Sequence, residues 1–295
     1  MRIRLRATWV ALLVSLSLVV VGQPAYAASG LWDRAWGTGV VTGSSSTLEI
    51  CTVASQCLPG AEDAAGIGGT IGTGQGVAVD PVTGDVWVSD GDANRLQKFT
   101  ADGAFLLALG KDVGGTGVDI CTVSATCHYG DHGFHGEKGG QFYNPSGLTT
   151  DQAGNLFVAD TYNHRIQEFT AAGAFVRAWG FGAASGGANQ QLEVCTTVAL
   201  CTASLMGPSG LGGDLQQPYS VALDSQGGVY VGDSGRVQKF AITSEPSNVS
   251  FVSTWGWDVV AGGGTGFEIC TQSAQCKEAG FGNCLLYTSP SPRDS

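Results

Sequence analysis

The chain has 295 residues, of which 46 are glycine and only 13% are charged, and its formal net charge is −11. A chain this acidic repels phosphate backbones, which argues against nucleic acid as a partner. Abundant glycine with few charged residues is typical of many short strands joined by tight turns and long loops. Helix is hardly supported beyond the first residues.

A secretory leader is predicted at residues 1–27. The basic start MRIRLR precedes an apolar run, Trp9–Val21, and a small-residue cleavage site follows at Ala25–Ala27. The run is too short to cross a bilayer comfortably, and no second apolar stretch follows it. We therefore expect a secreted, extracellular protein with no membrane span.

A segment with two cysteines occurs four times, with starts 70, 74 and 75 residues apart. So regular a period indicates a repeat architecture. In an exported chain each C-x5-C pair predicts a local disulfide. Zinc would need a second pair close by and redox catalysis would favour C-x-x-C, so both are the weaker alternatives. The predicted disulfides are Cys51–Cys57, Cys121–Cys127, Cys195–Cys201 and Cys270–Cys276.

Behind each of the first three cysteine pairs lies a block of four short segments that alternate apolar and polar residues between turns. In the clearest block the predicted strands are Gly147–Thr150, Asn155–Ala159, His164–Phe169 and Ala174–Trp179. The three blocks lie at about 76–110, 145–180 and 218–256. Four antiparallel strands per repeat predict an all-β fold of β-propeller blades.

The clearest block resembles the NHL repeat, a β-propeller family. The likeness is carried by Gly147-Leu148, by NLFVAD at Asn155–Asp160 and by NHRIQEF at Asn163–Phe169. It is strong over residues 144–180, good over 76–110 and weaker over 218–256, where the loop after Asp233 is shorter. The matching blocks cover somewhat less than half of the chain. The cysteine-bearing insertions lie outside them, at about 38–75, 111–144, 181–217 and 257–283.

The propeller predicted over residues 28–283 is expected to be incomplete. LWDRAWG at Leu31–Gly37 resembles only the fourth strand of a block. In a closed propeller such a strand completes the last blade, so we expect three full blades, an unpaired outer strand and about six blades in the complete protein. Residues 284–295 resemble a translated sequencing adapter, which leaves Cys284 outside the cysteine pairs.

One loop with an aspartate and an arginine recurs in all three blocks. A substrate-binding role is one interpretation, but recurrence in every block favours turn caps and ion pairs. Strand direction places this loop and the insertions on one face of the propeller, where long insertions on a rigid scaffold usually serve recognition. The loop residues are Asp90, Arg95, Asp160, Asn163, Arg165, Asp233 and Arg236.

A histidine cluster and a set of tryptophans are the other candidates. His128, His132 and His135 lie in CHYGDHGFHGE and are of metal-ligand type, but the other insertions lack histidine at this place, which favours a polar loop. We expect no cofactor, with a divalent metal as the alternative. His164 is interpreted as a surface residue. Three tryptophans that close equivalent strands are predicted to pack between blades: Trp36, Trp179 and Trp255.

Two functions from different classes are compatible with this pattern. The first is a non-catalytic binding or scaffold propeller whose disulfide-stapled insertions recognise a protein or glycan outside the cell. The second is a metal-dependent lyase or hydrolase, because NHL-like propellers resemble peptidyl-hydroxyglycine lyases and streptogramin lyases. Such enzymes need histidine or acidic residues on the inner strands. Only Asp80, Asp151 and Asp224 are ionisable there, so we favour the first function.

Overall fold

The computed structural model of the chain is an all-β fold of four antiparallel sheets. It describes residues 33–43, 47–59, 66–115, 118–131, 138–184, 191–204, 210–264 and 266–279. The predicted leader at 1–27 and the adapter-like residues 284–295 lie outside the described residues. Within these ranges, no helix has the length and apolar character needed to cross a membrane.

Seventeen strands make up the four sheets in the described parts of the chain. Sheet 1 contains β1 (Ala35–Thr38) and β2 (Leu48–Cys51). Sheet 2 contains β3 (Gly74–Val79), β4 (Val86–Asp90), β5 (Arg95–Phe99), β6 (Phe105–Lys111) and β7 (Val118–Cys121). Sheet 3 contains β8 (Pro145–Thr150), β9 (Leu156–Asp160), β10 (Arg165–Phe169), β11 (Phe175–Phe181) and β12 (Leu192–Cys195). Sheet 4 contains β13 (Pro218–Leu223), β14 (Val229–Asp233), β15 (Arg236–Ile242), β16 (Val249–Trp257) and β17 (Phe267–Cys270).

Each large sheet is a meander in chain order, which confirms the predicted propeller blades, but it has five strands rather than four. The insertion supplies the fifth strand, whose last residue is the first cysteine of a pair. In sheet 3, Trp179 of β11 pairs with Val194 of β12, and Phe181 pairs with Leu192. The insertion thereby satisfies the backbone groups of the outer edge, which would otherwise be exposed.

The N-terminal strand is also paired, so the expectation of an unpaired outer strand is wrong. Trp36 of β1 lies opposite Ile50 of β2, in the register that joins the fourth and fifth strands of the other sheets. The first insertion returns along β1 in the same way as the later insertions return along β6, β11 and β16. Sheet 1 therefore contains the outer two strands of a blade.

Apolar side chains between successive sheets form the core. Between sheets 2 and 3, Trp87 and Leu96 pack against Leu156 and Phe169. Between sheets 3 and 4, Trp179 and Phe157 meet residues of the next sheet such as Phe240. Trp36 of sheet 1 packs in a cluster with residues of sheet 2. The described sheets do not close into a ring, in agreement with an incomplete propeller.

Glycine is required where the innermost strands of neighbouring sheets approach. A Cβ at Gly147 of β8 would lie 2.6 Å from the carbonyl oxygen of Tyr219 and 2.7 Å from Cα of Ser220 in β13. These are backbone atoms of the next sheet and cannot rotate away. At the equivalent position of β13, Ser220 is exposed.

Replacing Gly147 by alanine is expected to lower the free energy of unfolding by about 1–3 kcal/mol, because the added methyl group forces two strands apart. Chemical denaturation measures this loss. The matched control is Ser220→Ala, which changes the equivalent but exposed position and is expected to stay within about 0.5 kcal/mol of the parent. Equal losses in both variants would contradict the close approach.

Candidate interaction face

The recurrent aspartate and arginine form a buried ion pair in each large sheet. The Nε–Oδ2 distance is 2.9 Å between Arg165 and Asp160, and both side chains are completely buried. The equivalent distances are 3.0 Å for Arg95–Asp90 and 3.2 Å for Arg236–Asp233. Since a buried charge is costly unless it is paired and hydrogen-bonded, these pairs depend on the groups that surround them.

Each arginine also joins the insertions before and after its sheet. Arg165 donates to the carbonyl oxygens of Lys138 at 2.9 Å and Gln141 at 2.8 Å, in the insertion before sheet 3. It also donates to the carbonyl oxygen of Thr202 at 2.8 Å, in the insertion after sheet 3. Thr202 directly follows Cys201. Arg95 and Arg236 make the same contacts to the residues after Cys127 and Cys276.

A glutamine two residues after each arginine completes this anchor and was missed in the sequence. Gln167 Oε1 accepts the backbone N–H of Gly140 at 2.8 Å. Its Nε2 donates to the carbonyl oxygen of Gln141 at 2.7 Å and to Asp160 at 2.8 Å. The recurring signal is R-x-Q, whose other glutamines are Gln97 and Gln238.

Further donors surround the aspartates and oppose the effect of burial. Asn163 Nδ2 donates to Asp160 at 2.9 Å, and the backbone N–H of Tyr143 does so at 2.9 Å. Burial raises the pKa of Asp160, against the opposing charge of Arg165. Burial likewise raises the pKa of Asp233 to about 6. The aspartates are therefore buried and held by several hydrogen bonds.

Each insertion forms a short disulfide hairpin, and the last three hairpins lie beside Arg95, Arg165 and Arg236. The structure joins all four C-x5-C pairs, with Cα–Cα distances of 5.4–5.7 Å. So short a loop contributes about 2 kcal/mol in the chain-entropy model. A single 3-10 turn lies inside each hairpin. These turns are Ala54–Gln56, Ser124–Thr126, Val198–Leu200 and Ser273–Gln275, and a fifth such turn, Thr161–Asn163, lies in the loop between β9 and β10.

The last three hairpins rest on a glycine pair that precedes the innermost strand of the same sheet. The N–H of Gly139 donates to the carbonyl oxygen of Val198 at 3.0 Å. A Cβ at Gly139 would lie 2.7 Å from the ring of Phe175, so a larger residue there would displace that ring. Gly68 and Gly212 donate in the same way to Ser124 and Ser273. The hairpins are thus fixed to the scaffold at equivalent places.

The tips of three hairpins present aliphatic side chains to solvent. Val53 is 47% exposed, Val123 is 58% exposed and Leu200 is 56% exposed. We call the surface formed by the hairpins and by the β9–β10 loop and its equivalents the insertion face. Exposed apolar side chains on a fixed and repeated support are typical of a recognition surface.

The acidic residues at the ends of the innermost strands lie in turns on the opposite rim. Asp151 accepts the N–H groups of Ala153 at 2.9 Å and Asn155 at 2.8 Å. Asp224 accepts the N–H of Gly228 at 2.7 Å, and this bond is the main cause that lowers its pKa to about 2. Asp80 makes similar turn bonds and an ion pair with Lys98. These carboxylates fix turns.

Of the four histidines, the structure describes His128 and His164. The side chain of His128 is exposed, and His132 and His135 lie outside the described residues. In the part of the chain that the structure describes, no three His, Cys, Asp or Glu residues are grouped to hold a metal ion. His164, which was predicted at the surface, is half-buried, and its Nδ1 accepts the N–H of Gln217 at 3.1 Å, which connects sheet 3 to the entry of sheet 4.

Comparison with known proteins agrees with this repeat architecture. The family model for the NHL repeat matches residues 75–99 and 142–169. These ranges contain β3–β5 and β8–β10, including two of the three buried ion pairs. The chain therefore contains NHL repeats.

Among curated proteins, the chain is similar to two peptidyl-glycine alpha-amidating monooxygenases of Xenopus laevis. It is 37% identical to the B form over 105 residues and 36% identical to the A form over 104 residues. Each alignment covers 34% of this chain. The chain spans about a tenth of the length of these relatives, at 10% and 9%.

Solved structures with a related arrangement have low sequence identity to the chain. A nidogen/laminin complex shares 13% identity, with a TM-score of 0.35 over 64% of this chain and 57% of that chain. A functionally unknown protein from Desulfotomaculum acetoxidans shares 15%, with a TM-score of 0.36 over 72% and 50%. A streptogramin B lyase shares 11%, with a TM-score of 0.28 over 75% and 72%.

Proposed function

We propose that this chain, which carries NHL repeats folded as blades of an incomplete β-propeller, is a secreted binding protein that recognises an extracellular protein through its insertion face. The observation that carries the proposal is the row of four disulfide hairpins, of which the last three are held in equivalent positions by the buried Arg95, Arg165 and Arg236. Three of these hairpins present an exposed aliphatic side chain, at Val53, Val123 and Leu200. A protein partner fits this surface better than a small substrate does, because the exposed aliphatic side chains lie on the hairpins of three different sheets rather than in one pocket.

The rigidity of the hairpins supports binding. Each hairpin is closed by a disulfide, and in the large sheets it is joined to the sheet by an arginine–carbonyl bond such as that from Arg165 to Thr202. A surface that is ordered before contact loses little conformational entropy when a partner binds. The acidic residues of the innermost strands are used in turns on the opposite rim, which supports a non-catalytic role for the described sheets.

The proposal is tested by measuring binding of the secreted chain to an array of purified extracellular proteins by surface plasmon resonance. We expect saturable binding that is lost when Val53, Val123 and Leu200 are all replaced by aspartate. The matched control is Val82→Asp, because Val82 is 67% exposed and lies in the turn on the opposite rim. Absence of any saturable binding, or equal loss in the control, would contradict the proposal.

A lyase of the peptidyl-hydroxyglycine type is the second candidate. It is favoured by the 37% identity to an amidating monooxygenase over 105 residues. The deciding measurement is turnover of a peptide that ends in α-hydroxyglycine, with and without added Zn²⁺. Metal-dependent turnover would support the lyase and count against a purely binding role, whereas no turnover together with array binding would support the first function.

A further inference from the structure

A small apolar cavity lies between the outer strands of sheets 2 and 3. Its volume is about 190 Å³. Leu109 and Phe169 line its buried part, and Ile120, Phe175 and Val198 lie nearer to solvent. All of the residues that line the cavity are uncharged. Walls of this kind disfavour charged groups, which lose their hydration on entry.

The cavity lies where the other described sheets carry a tryptophan. Leu109 of β6 lies opposite Ile120 of β7, in the register that pairs Trp36 with Ile50 in sheet 1. The residues that share the position of Leu109 in the other three sheets are Trp36, Trp179 and Trp255. Sheet 2 therefore has a smaller side chain than the other sheets at this position.

The turn that faces this position has the same form in sheets 2 and 3. The N–H groups of Gly103 and Gly173 each donate at 2.8 Å to the carbonyl three residues earlier, with φ angles of 90° and 85°. A Cβ at Gly103 would lie 3.0 Å from the ring of Trp36, so the indole rests on the turn. At Gly173 the nearest atom is instead Cδ1 of Ile120, at 3.4 Å, and Leu109 is 3.8 Å away. The support is thus equivalent, but the side chain that rests on it differs.

A larger residue nearby occupies only part of this junction. Trp87 of β4 has the position that Phe157 has in β9, and it is completely buried. Its ring would lie 3.8 Å from a Cβ at Gly173. Trp87 lies on the second strand of sheet 2, whereas Leu109 lies on the fourth. The indole of Trp87 therefore packs on the inner side of the cavity that Leu109 lines.

A second difference between the repeats makes the solvent side of the cavity apolar. Val198 has the position of Ser124 and Ser273 in two other hairpins. Those serine hydroxyls donate to the carbonyl oxygen of the glycine beneath their hairpin. Valine makes no such bond, and the side chain of Val198 is 36% exposed where it lines the cavity. Leucine in place of tryptophan and valine in place of serine thus meet at one junction.

The size of the cavity fits one aromatic ring system. A cavity of about 150 Å³ lined by Leu, Ile and Phe side chains stays dry and binds benzene. At the equivalent junctions of this chain an indole packs beside the residue that corresponds to Phe169. Trp36 lies in a cluster with Phe99, and the ring of Trp179 lies 6.3 Å from that of Phe240. The ring of Phe169 therefore offers an aromatic ligand a surface that the chain itself uses for tryptophan.

The cavity adjoins the insertion face. Ile120 directly precedes the first cysteine of one hairpin, and Val198 lies inside the next hairpin. The exposed tips of these two hairpins are Val123 and Leu200, which lie three residues after Ile120 and two residues after Val198. A protein that covers these tips therefore lies close to the cavity.

We propose that this cavity binds an aromatic side chain, of the size of tryptophan, from the protein that the insertion face recognises. The ring packs on Gly173 and Phe169, as the indole of Trp36 rests on Gly103 in the preceding junction. This inference rests on the proposed binding function and names the side chain that the partner supplies. A single aromatic residue that enters a pocket is a frequent source of binding energy in protein interfaces.

The cavity is first tested on its own by isothermal titration of the secreted chain with 3-methylindole, the isolated side chain of tryptophan. We expect saturable binding that is lost in Leu109→Trp, because this variant places the residue of the other three sheets in the cavity. The melting temperature of Leu109→Trp is expected to equal or exceed that of the parent, as for other cavity-filling changes. A melting temperature lowered by more than about 3 °C would mean that an indole does not fit, which would overturn the proposal.

Two isoleucines provide a matched pair of variants. Ile120→Ala removes part of the cavity wall and is expected to weaken 3-methylindole binding at least roughly threefold. Ile50→Ala makes the same change beside Trp36 and is expected to leave the Kd unchanged. The two side chains are 42% and 41% exposed, so their general effects on the surface are alike. Absence of saturable binding, or equal weakening in both variants, would contradict the cavity as the binding site.

The source of the ring is tested with the partner found on the protein array. Leu109→Trp is expected to weaken partner binding at least roughly tenfold, whereas Ile50→Ala is expected to bind like the parent. If the partner binds Leu109→Trp as tightly as the parent, this inference is wrong and the proposed binding function stands. If no protein of the array binds although 3-methylindole does, the proposed function fails, and a partner protein as the source of the ring is wrong with it.

Discussion

Replacing Arg165 by methionine is expected to lower the free energy of unfolding by about 3–5 kcal/mol. Methionine fills a similar volume but leaves the buried carboxylate of Asp160 without its opposite charge. Removal of one partner of a buried ion pair typically has an effect of this size. The carbonyl oxygens of Lys138, Gln141 and Thr202 also lose their donor. Denaturant unfolding followed by tryptophan fluorescence measures the loss.

A surface ion pair provides the control for this variant. Lys277 and Asp258 are 2.8 Å apart, with side chains that are 36% and 25% exposed. Lys277→Met is expected to cost less than about 1 kcal/mol, because exposed pairs contribute little. Hydrogen exchange adds a local readout, since amides of both insertions next to Arg165 are expected to exchange faster in Arg165→Met. A loss below about 1 kcal/mol in Arg165→Met would mean that the arginine does not hold the insertions.

The strands and their order could be predicted from the sequence because they depend on local pattern. Alternation of apolar and polar residues and the turns at Asp151–Gly154 and Thr170–Gly173 place β8–β11 to within two residues. Strand direction then places the insertions and the Asp160–Arg165 loop on one face. The contacts from Arg165 to both insertions agree with that topology.

The fifth strand was not predicted, because a four-residue strand has too few positions to show a period. The strand β12 (Leu192–Cys195) has four residues, so it places only two side chains on each face of the sheet. Its pairing is decided by the free edge of β11 rather than by its own sequence. The same limit applies to β2, which pairs with β1 and corrects the unpaired-strand expectation.

The arginine and glutamine anchor was missed for a different reason. Gln167 and Gly140 are 27 residues apart, so their contact arises only when the insertion folds back onto the sheet that follows it. The recurrence of R-x-Q was visible in the sequence, but a repeated glutamine has no specific meaning until its partner is known. Likewise, His164 looks like a polar loop residue until Gln217 is placed beside it.

Trp179 is the side chain whose removal tests the stacking of the sheets most directly. Replacing it by alanine is expected to cost about 3–5 kcal/mol, because the indole is completely buried between sheets 3 and 4. Its ring contacts Phe157 and Phe240, each with a centroid distance of 6.3 Å. The indole nitrogen has no hydrogen-bond partner in the described residues, so the loss measures packing alone.

Trp255 provides a matched control, because it occupies the equivalent position of sheet 4. Its ring is only partly buried, with Tyr230 as its aromatic neighbour at 5.8 Å, and no further sheet covers it among the described residues. Trp255→Ala is therefore expected to cost less than about 2 kcal/mol. Calorimetric melting of both variants makes the comparison. Since the two tryptophans share the same strand position, a difference between them measures the contribution of the neighbouring sheet, and equal losses would mean that the neighbouring sheet adds nothing to the packing of Trp179.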